Sequence, residues 1–332
     1  MFRLCASLIL GLSCANLAIA ESIDINIEDK GDHFVFWSKY GIPNATLSSD
    51  GSLVAVAKLP IGNFVRIISL EKKEEICSCF GGMRVTTFTF SPDGKRLILA
   101  YESFDQTETK IDTYDIKSKE VVRSLSLPVD QWVSHIVVSD DNTKMGAFVS
   151  GKKRSGMVFY DFDQEEDEIF TGDGTSSVVF INKNKQMITG SGTSILISNL
   201  DFNFSDKGKL TTHGGSVNSL QLTPDAKRLI VGTCRTKVSA IQIEENKLVT
   251  MKANKSMLES VGVYSSERVV TGGTDGKVRI WDVKTGEQVG SFDALSKMIT
   301  VLHCAPNKLI LTIGEDRVVR IWKGDKIKAL GK

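Results

Sequence analysis

The residues of this chain that could do chemistry fall into three short runs. Six carboxylates lie within 161–168, three basic residues occupy 152–154, and one residue separates Cys77 from Cys79. The carboxylates could coordinate calcium, the cysteines could bind a metal or form a disulfide, and the basic residues could contact a partner. The elements that carry these runs decide which chemistry is possible.

Each run also has a simpler structural interpretation. A calcium loop needs a turn glycine and a fixed order of ligands, so a solvated hairpin that protects an outer strand edge explains 161–168 better. Cys77 and Cys79 share one face of a predicted strand in a poor geometry for a disulfide, which favours free thiols. Whether the mature chain forms disulfides among Cys77, Cys79, Cys234 and Cys304 stays open.

The first twenty residues have the composition of a secretory signal peptide. Arg3 supplies a positive charge, Leu4 to Leu12 form an apolar core, and Ala18 to Ala20 form a small-x-small cleavage site. The alternatives are a transmembrane anchor, for which the apolar stretch is short in a bilayer about 30 Å thick, and a lipoprotein signal. We expect an exported chain, periplasmic in a Gram-negative bacterium and secreted otherwise, without stable membrane insertion after cleavage.

Charge and composition argue against one large class of partner. The 332 residues include 41 lysines and arginines against 40 aspartates and glutamates, and 41% are hydrophobic. The hydrophobic content indicates a folded globular chain. The balanced charge lacks the positive field that carries non-specific nucleic-acid binding. We therefore expect no nucleic-acid partner.

Seven similar segments recur along the chain. Each reads as a strand, a turn and a second strand, most clearly in VTTFTFSPDGKRLILA and VNSLQLTPDAKRLIVG. The segments start at Ile42, Val85, Trp132, Ser176, Val217, Leu258 and Ile299, with spacings of 43, 47, 44, 41, 41 and 41 residues. A period near forty with four strands per unit is typical of a β-propeller blade.

The repeats predict an all-β fold, a seven-bladed β-propeller of four-stranded antiparallel blades. We expect 1–20 to be the signal peptide, 21–41 an N-terminal segment with a possible ring-closing strand, and 42–332 the propeller. Such rings usually close by pairing strands from the two chain ends. His33 to Trp37 and Lys326 to Leu330 could each supply that strand, and the sequence does not decide between them.

The last two repeats carry the motifs of a known family. TGGTDGKVRIWDVKTGEQV and TIGEDRVVRIWKGDKI, with SPDGKRL earlier in the chain, resemble the WD-repeat β-propellers. The resemblance implies a buried, structural polar network in each of these repeats, with its members at Thr271, Asp275 and Trp281 and at Thr312, Asp316 and Trp322. The histidine of the family's network is absent, because Asn254 and Leu295 stand in its place.

A propeller enzyme generally places its catalytic groups where the inner strands converge on the axis. One equivalent first-strand position holds Asn44, Thr87, His135, Val178, Ser219, Ser260 and Val301. A single histidine without a carboxylate does not make a calcium or zinc site, so we expect no catalytic residue, metal or cofactor. The alternative is an exported propeller enzyme, such as a lactonase-like hydrolase, or a small-ligand-binding protein that uses the central channel.

A rigid ring that presents many loops is suited to protein binding, and the resemblance implies the same role. We expect an exported, monomeric, non-catalytic scaffold or adaptor whose partner the sequence does not identify. Aromatic and arginine side chains dominate binding energy at interfaces. Candidate contacts on the rim where inner strands begin are Arg84, Trp132, Lys152, Lys153 and Arg154. The alternative for Trp132 is packing beneath its own loop.

The export signal predicts a mature chain that begins at Glu21. Because signal peptidase cuts after the small-x-small site, N-terminal sequencing or intact mass of the protein from its native host should show that residues 1–20 have been removed. Recovery of the uncleaved chain in the membrane fraction would support the anchor instead.

Overall fold

The computed structural model describes residues 25–39, 41–57, 65–79, 84–102, 109–127, 131–151, 156–162, 168–170, 175–181, 186–199, 206–211, 216–233, 237–245, 247–251, 258–295, 297–306 and 308–324. These residues form seven antiparallel sheets. The inner strands of successive sheets contact one another in a closed circle. The fold is a seven-bladed β-propeller, which confirms the prediction from the repeats. The predicted signal peptide at 1–20 lies outside the described residues.

The strands are numbered in chain order. Two N-terminal strands come first, β1 (Asn26–Asp29) and β2 (His33–Trp37). Blade 1 contains β3 (Asn44–Leu47), β4 (Leu53–Ala57), β5 (Val65–Ser69) and β6 (Glu74–Cys79). Blade 2 contains β7 (Arg84–Phe90), β8 (Arg96–Glu102), β9 (Thr109–Asp115) and β10 (Glu120–Leu127). Blade 3 contains β11 (Gln131–Val138), β12 (Lys144–Gly151), β13 (Gly156–Asp161) and β14 (Glu168–Phe170).

The remaining blades follow the same plan. Blade 4 contains β15 (Thr175–Ile181), β16 (Gln186–Ser191), β17 (Ser194–Asn199) and β18 (Asp206–Thr211). Blade 5 contains β19 (Val217–Leu222), β20 (Arg228–Thr233), β21 (Val238–Gln242) and β22 (Lys247–Met251). Blade 6 contains β23 (Leu258–Val263), β24 (Arg268–Gly273), β25 (Lys277–Asp282) and β26 (Gln288–Asp293). Blade 7 contains β27 (Ile299–Ala305), β28 (Leu309–Gly314) and β29 (Val319–Lys323).

A Ser/Thr-x-Asp motif closes the turn between the first two strands of several blades. In blade 2 the Ser91 hydroxyl donates to the Asp93 carboxylate at 2.6 Å and accepts the Arg96 N–H at 3.0 Å. The hydroxyl–carboxylate bond recurs between Ser48 and Asp50, Ser139 and Asp141, and Thr223 and Asp225. Because this bond is local, it marks the strand ends in the sequence itself.

The hydrophobic core lies in the spaces between blades. Apolar side chains of the described residues form seven clusters, one between each pair of neighbouring blades. In β8, Leu97 and Leu99 pack towards blade 1, whereas Ile98 and Ala100 pack towards blade 3. Successive side chains of a strand point to opposite faces, and both faces are covered here. This explains why the second strands read as continuous apolar runs.

The N-terminal strand β2 closes the ring. It pairs antiparallel with β29 as the outer strand of blade 7, and β1 adds a fifth strand beside it. His33 stacks on the Trp322 ring with centroids 4.3 Å apart, and Phe36 is buried between blades 7 and 1. Of the two segments that could close the ring, 33–37 therefore does so. The other, 326–330, lies outside the described residues.

Asp29, at the end of β1, joins the closing hairpin to two blades. Its carboxylate lies 2.9 Å from Lys323 Nζ of β29 and 3.3 Å from Lys73 Nζ of blade 1. The two ammonium groups lie 4.5 and 5.8 Å from the Phe34 ring centroid. The hydrogen bond from Lys323, with that from the Gly31 N–H, lowers the pKa of Asp29 to about 2. The cluster thus stabilises the closure through an ionised carboxylate.

Asp29→Asn should remove this contribution to stability. Because the folded-state pKa of Asp29 is about 2 and a free aspartate titrates near ~4, the stabilisation is present above pH ~4 and is lost as the pH falls towards ~2. Thermal unfolding should show Asp29→Asn melting below the natural chain at neutral pH, with the difference shrinking in acid. Glu244→Gln, at an exposed carboxylate, is the control. An equal loss in both variants would contradict the specific role of Asp29.

Candidate functional site

The inner strands surround a channel along the propeller axis. Its cavity has a volume of about 790 Å³. Polar side chains on its wall include Asn44, Thr46, Thr87, Thr89, His135, Gln221, Thr300 and His303. Aliphatic and aromatic residues of the same strands form the rest of the wall. The channel therefore offers hydrogen-bonding groups on a partly apolar surface.

A β-bulge in the inner strands sets which side chains align around this axis. In blade 4 the register shifts between Thr175 and Ser177, as it does at the equivalent point of blades 2, 3, 5, 6 and 7. The residue of blade 4 equivalent to Thr87 and His135 is therefore Ser177, and the expectation of Val178 is wrong by one position. Blade 4 reads INKNKQ where blades 1, 2, 3 and 5 carry the Ser/Thr-x-Asp turn, so its sequence lacked that marker for the alignment.

Serines next to the bulges bond to the backbone of the following blade. Ser177 Oγ accepts the Leu220 N–H at 2.9 Å, between blades 4 and 5. Ser260 Oγ accepts the Leu302 N–H at 3.1 Å, between blades 6 and 7. Sequence reasoning missed these roles, because a serine in an alternating strand carries no mark of what it faces.

Gln221 and His303 make equivalent bonds between other blades. The Gln221 side-chain nitrogen donates to the Val261 carbonyl, and its oxygen accepts the Val263 N–H, both at 2.9 Å. His303 Nδ1 accepts the Leu47 N–H at 3.4 Å across the closure. Burial lowers the pKa of His303 to about 4, so the ring is neutral at pH 7 and free to accept this bond.

His135 lines the channel from blade 3, and burial lowers its pKa as well. Both channel histidines are therefore neutral near pH 7. Across the part of the chain that the structure describes, no group of three or more His, Cys, Asp and Glu residues could hold a metal ion. The described channel wall can form hydrogen bonds with a ligand and brings no pair of charged catalytic groups together.

The tryptophans of blades 6 and 7 each bond to a threonine of the second strand. Trp281 Nε1 donates to Thr271 Oγ1 at 2.9 Å, and Trp322 Nε1 donates to Thr312 Oγ1 at 3.0 Å. All four residues are buried. The structure thus brings together the threonine and the tryptophan that the resemblance singled out in each blade.

The aspartates of the expected networks pair elsewhere. Asp275 accepts two hydrogen bonds from the Arg279 guanidinium, at 2.5 and 3.1 Å, and these lower its pKa. Asp316 lies 2.8 Å from Arg320. The expectation that both aspartates join the tryptophans is therefore corrected: each carboxylate pairs with the arginine four residues ahead. The repeated Arg-Ile-Trp of both repeats was the signal for these arginines.

Arg84 and Trp132 lie where the inner strands of blades 2 and 3 begin. The Arg84 side chain is 66% exposed and 3.8 Å from the Glu102 carboxylate. Trp132 is 44% exposed. We call this face, at the starts of the inner strands and the ends of the second strands, the entry rim. The other candidate contacts, Lys152, Lys153 and Arg154, lie outside the described residues.

A small cavity opens on the entry rim between blades 6 and 7. Its volume is about 140 Å³, and its walls are Leu295, Lys297, Met298, Glu315 and Asp316. Leu295 and Met298 are half-buried and form its apolar surface, while Lys297 and Glu315 form an ion pair at 3.7 Å. This arrangement can hold one apolar side chain next to charged groups.

The described cysteines are free thiols. Cys77 and Cys79 are buried, and Cys304 is half-buried. Cys234 lies outside the described residues. A hydrogen bond from Cys79 lowers the pKa of Cys77, whereas burial raises the pKa of Cys304.

A family model described as "WD domain, G-beta repeat" matches residues 247–282. The matched segment runs from β22 of blade 5 to β25 of blade 6 and contains the bonded Thr271 and Trp281. It lies within a ring of seven blades. The chain is a β-propeller with a WD repeat at these residues. The matched repeat begins one strand before a blade, because it supplies the outer strand of blade 5 and the first three strands of blade 6. The outer strand of blade 7 likewise comes from outside its own repeat, since β2 supplies it.

Two curated proteins match short parts of this propeller. Human WD repeat-containing protein 41 (Homo sapiens) is 30% identical over 86 residues, which are 24% of this chain and 19% of that protein. The mouse guanine nucleotide-exchange factor SEC12 (Mus musculus) is 34% identical over 64 residues, which are 19% of this chain and 15% of that protein. The match therefore spans less than a fifth of either relative.

A solved structure matches most of the chain. The β-propeller domain of Cps50 (Swd1) from Myceliophteria thermophila has a TM-score of 0.72 and 14% identity, covering 88% of this chain and 99% of that one. At this identity the likeness concerns the fold alone.

Trp281→Ala should lower the free energy of unfolding by about 3–5 kcal/mol, because it empties a buried site between blades 5 and 6. Thr271→Val keeps the volume but removes the acceptor of the indole N–H, and should cost about 1–3 kcal/mol. Denaturant unfolding measures both. Leu248→Ala, at a 38% exposed residue, is the control for apolar truncation. Stability equal to the natural chain in Trp281→Ala would contradict its place in the core.

Proposed function

We propose that this WD-repeat propeller is an exported, non-catalytic scaffold that binds a protein partner on its entry rim. Exposure of Trp132 is the observation that carries the proposal. A tryptophan at 44% exposure leaves a large apolar surface in water, which binding to a partner would remove. Trp132 is also the one aromatic residue among the exposed large hydrophobics of the described chain, and tryptophan is enriched at the energetic centres of interfaces.

Two further features of the entry rim support a protein ligand. The side chain of Arg84, in the neighbouring blade, is 66% exposed, and its guanidinium lies 3.8 Å from the Glu102 carboxylate. At this separation the guanidinium can bind a second acceptor. The small cavity at Leu295 and Met298 could receive an apolar side chain of the same partner. These groups lie on different blades, so a partner that reached all of them would cross the rim.

The architecture lowers the cost of such binding. Each blade shares a core cluster with both neighbours, and side chains such as Gln221 bond blade to blade around the axis. A rigid support of this kind reduces the ordering that a binding surface undergoes on association. WD-repeat propellers commonly bind protein partners, and this chain carries the same fold.

The proposal includes export, which is supported by the signal-peptide composition of residues 1–20. Within the described part of the chain, no helix has the length and apolar content needed to cross a membrane. A partner is therefore sought in the exported fraction of the native host.

Trp132→Ala should lose capture of that partner while keeping its melting temperature within a few degrees of the natural chain. A loss of at least about tenfold in affinity is expected, because truncating an interface anchor costs roughly 2 kcal/mol or more. Affinity purification from the exported fraction, followed by binding measurements with the recovered partner, tests this. Arg84→Ala should weaken binding less and mainly at low salt.

Leu248→Ala is the matched control, since Leu248 is exposed to a similar degree but lies on outer strand β22. It should bind as the natural chain does. A large drop in the melting temperature of Trp132→Ala, with capture retained below the transition, would return Trp132 to the core and contradict the anchor role.

A further inference from the structure

The channel mouth opposite the entry rim is built from the turns between first and second strands. The second residue of each described turn stands at an equivalent position around this mouth. In blades 1, 2, 3, 5, 6 and 7 these residues are Ser49, Pro92, Asp140, Pro224, Ser265 and Pro306. Four of these, from blades 1, 2, 3 and 7, line the axial cavity: Ser49, Pro92, Asp140 and Pro306. Among the described turns, that of blade 3 is thus the only one with a carboxylate at this position.

Asp140 is not needed to form its turn. The turn's own carboxylate is Asp141, which accepts from the Ser139 hydroxyl at 2.8 Å and from the Thr143 hydroxyl at 2.6 Å. Proline, the residue of blades 2, 5 and 7 at this position, has a dihedral angle already suited to a turn. Aspartate is also a common turn residue, but the side-chain bonds of this turn are made by Ser139, Asp141 and Thr143. The turn therefore does not require a carboxylate at Asp140.

The charge of Asp140 is not neutralised by the described channel wall. It is the one charged side chain among the described residues that line the cavity. His135 and His303 are neutral near pH 7, because burial lowers their pKa. Burial and the neighbouring Asp141 raise the pKa of Asp140 itself, so a cation that binds here would stabilise its ionised form. A negative charge at the mouth of a low-dielectric channel attracts cations.

The channel behind this carboxylate suits a long side chain. Its volume of about 790 Å³ lies within the range of about 300–1,000 Å³ found for ligand sites. Pro92 and Pro306, both half-buried, offer apolar surface at the mouth. Ser49 adds a hydroxyl, which donates to the Pro92 carbonyl. A lysine or arginine side chain has a matching form, with an apolar stem and a charged head.

We propose that this mouth binds a lysine or arginine side chain of a partner polypeptide, with the cationic head on Asp140 and the stem against the channel wall. The inference rests on the proposed function only in that the ligand belongs to a protein. The site is on the face opposite the entry rim, so the two can be tested separately.

The test uses capped five-residue peptides of alanine with a central lysine, arginine or norleucine, titrated into the full mature chain by calorimetry or NMR. The lysine or the arginine peptide should bind at least about tenfold more tightly than the norleucine peptide, and its affinity should fall with added salt. Binding of norleucine as tight as that of the charged peptides, or no binding of either charged peptide, would overturn the proposal.

Two variants locate the site. Asp140→Asn removes the charge, and Asp140→Ser installs the residue that blade 1 carries at the same position, so the turn should still form. Both should lose at least about tenfold in affinity for the charged peptide. Asp293→Asn, at an exposed aspartate on the outer strand of blade 6, should bind normally. Unchanged affinity in Asp140→Ser would overturn the assignment.

Two further measurements distinguish this site from the entry rim and from a general polyamine site. Trp132→Ala should bind the charged peptide as the natural chain does, even if it loses the partner on the entry rim, so the two proposals can fail independently. The free polyamine spermidine should compete weakly. Displacement of the peptide by spermidine at equal concentration would overturn the assignment to a polypeptide ligand.

Discussion

The pairing of β2 with β29 is the constraint on which the rest of the structure depends. Every described core cluster lies between two blades, so a blade buries its second strand only when both neighbours are present. The cluster between blades 7 and 1 contains Phe36 of β2 and forms only when the two ends of the ring meet. The stacking of His33 on Trp322 and the ion pairs of Asp29 with Lys73 and Lys323 hold β2 in register with β29.

The blades could be predicted from the sequence because their signals are local. The Ser91–Asp93 bond closes its turn without help from distant residues, and the apolar runs reflect burial on two sides. Ring closure could not be predicted, since it depends on which of two apolar segments reaches β29 in three dimensions. The predicted alignment of blade 4 was wrong by one residue, because this blade lacks the turn motif and the bulge before Ser177 shifts its register.

The candidate sites show the same division between local and spatial information. The Thr271–Trp281 pair followed from a motif, whereas the pairing of Asp275 with Arg279 did not. The blade-to-blade bonds of Gln221 were invisible, because a polar residue in a strand looks the same whether it faces water or the next backbone. The position of Asp140 at the channel mouth follows only from the arrangement of the described turns around one axis.

The one-strand offset between the sequence repeat and the blade bears on how such a ring can grow. A repeat such as Lys247–Asp282 supplies the outer strand of one blade and the first three strands of the next. Duplication of such a unit during evolution would add four strands, which are enough for one blade, and would leave the pairing of β2 with β29 unchanged. Gene duplication could therefore change the number of blades without a new solution to closure.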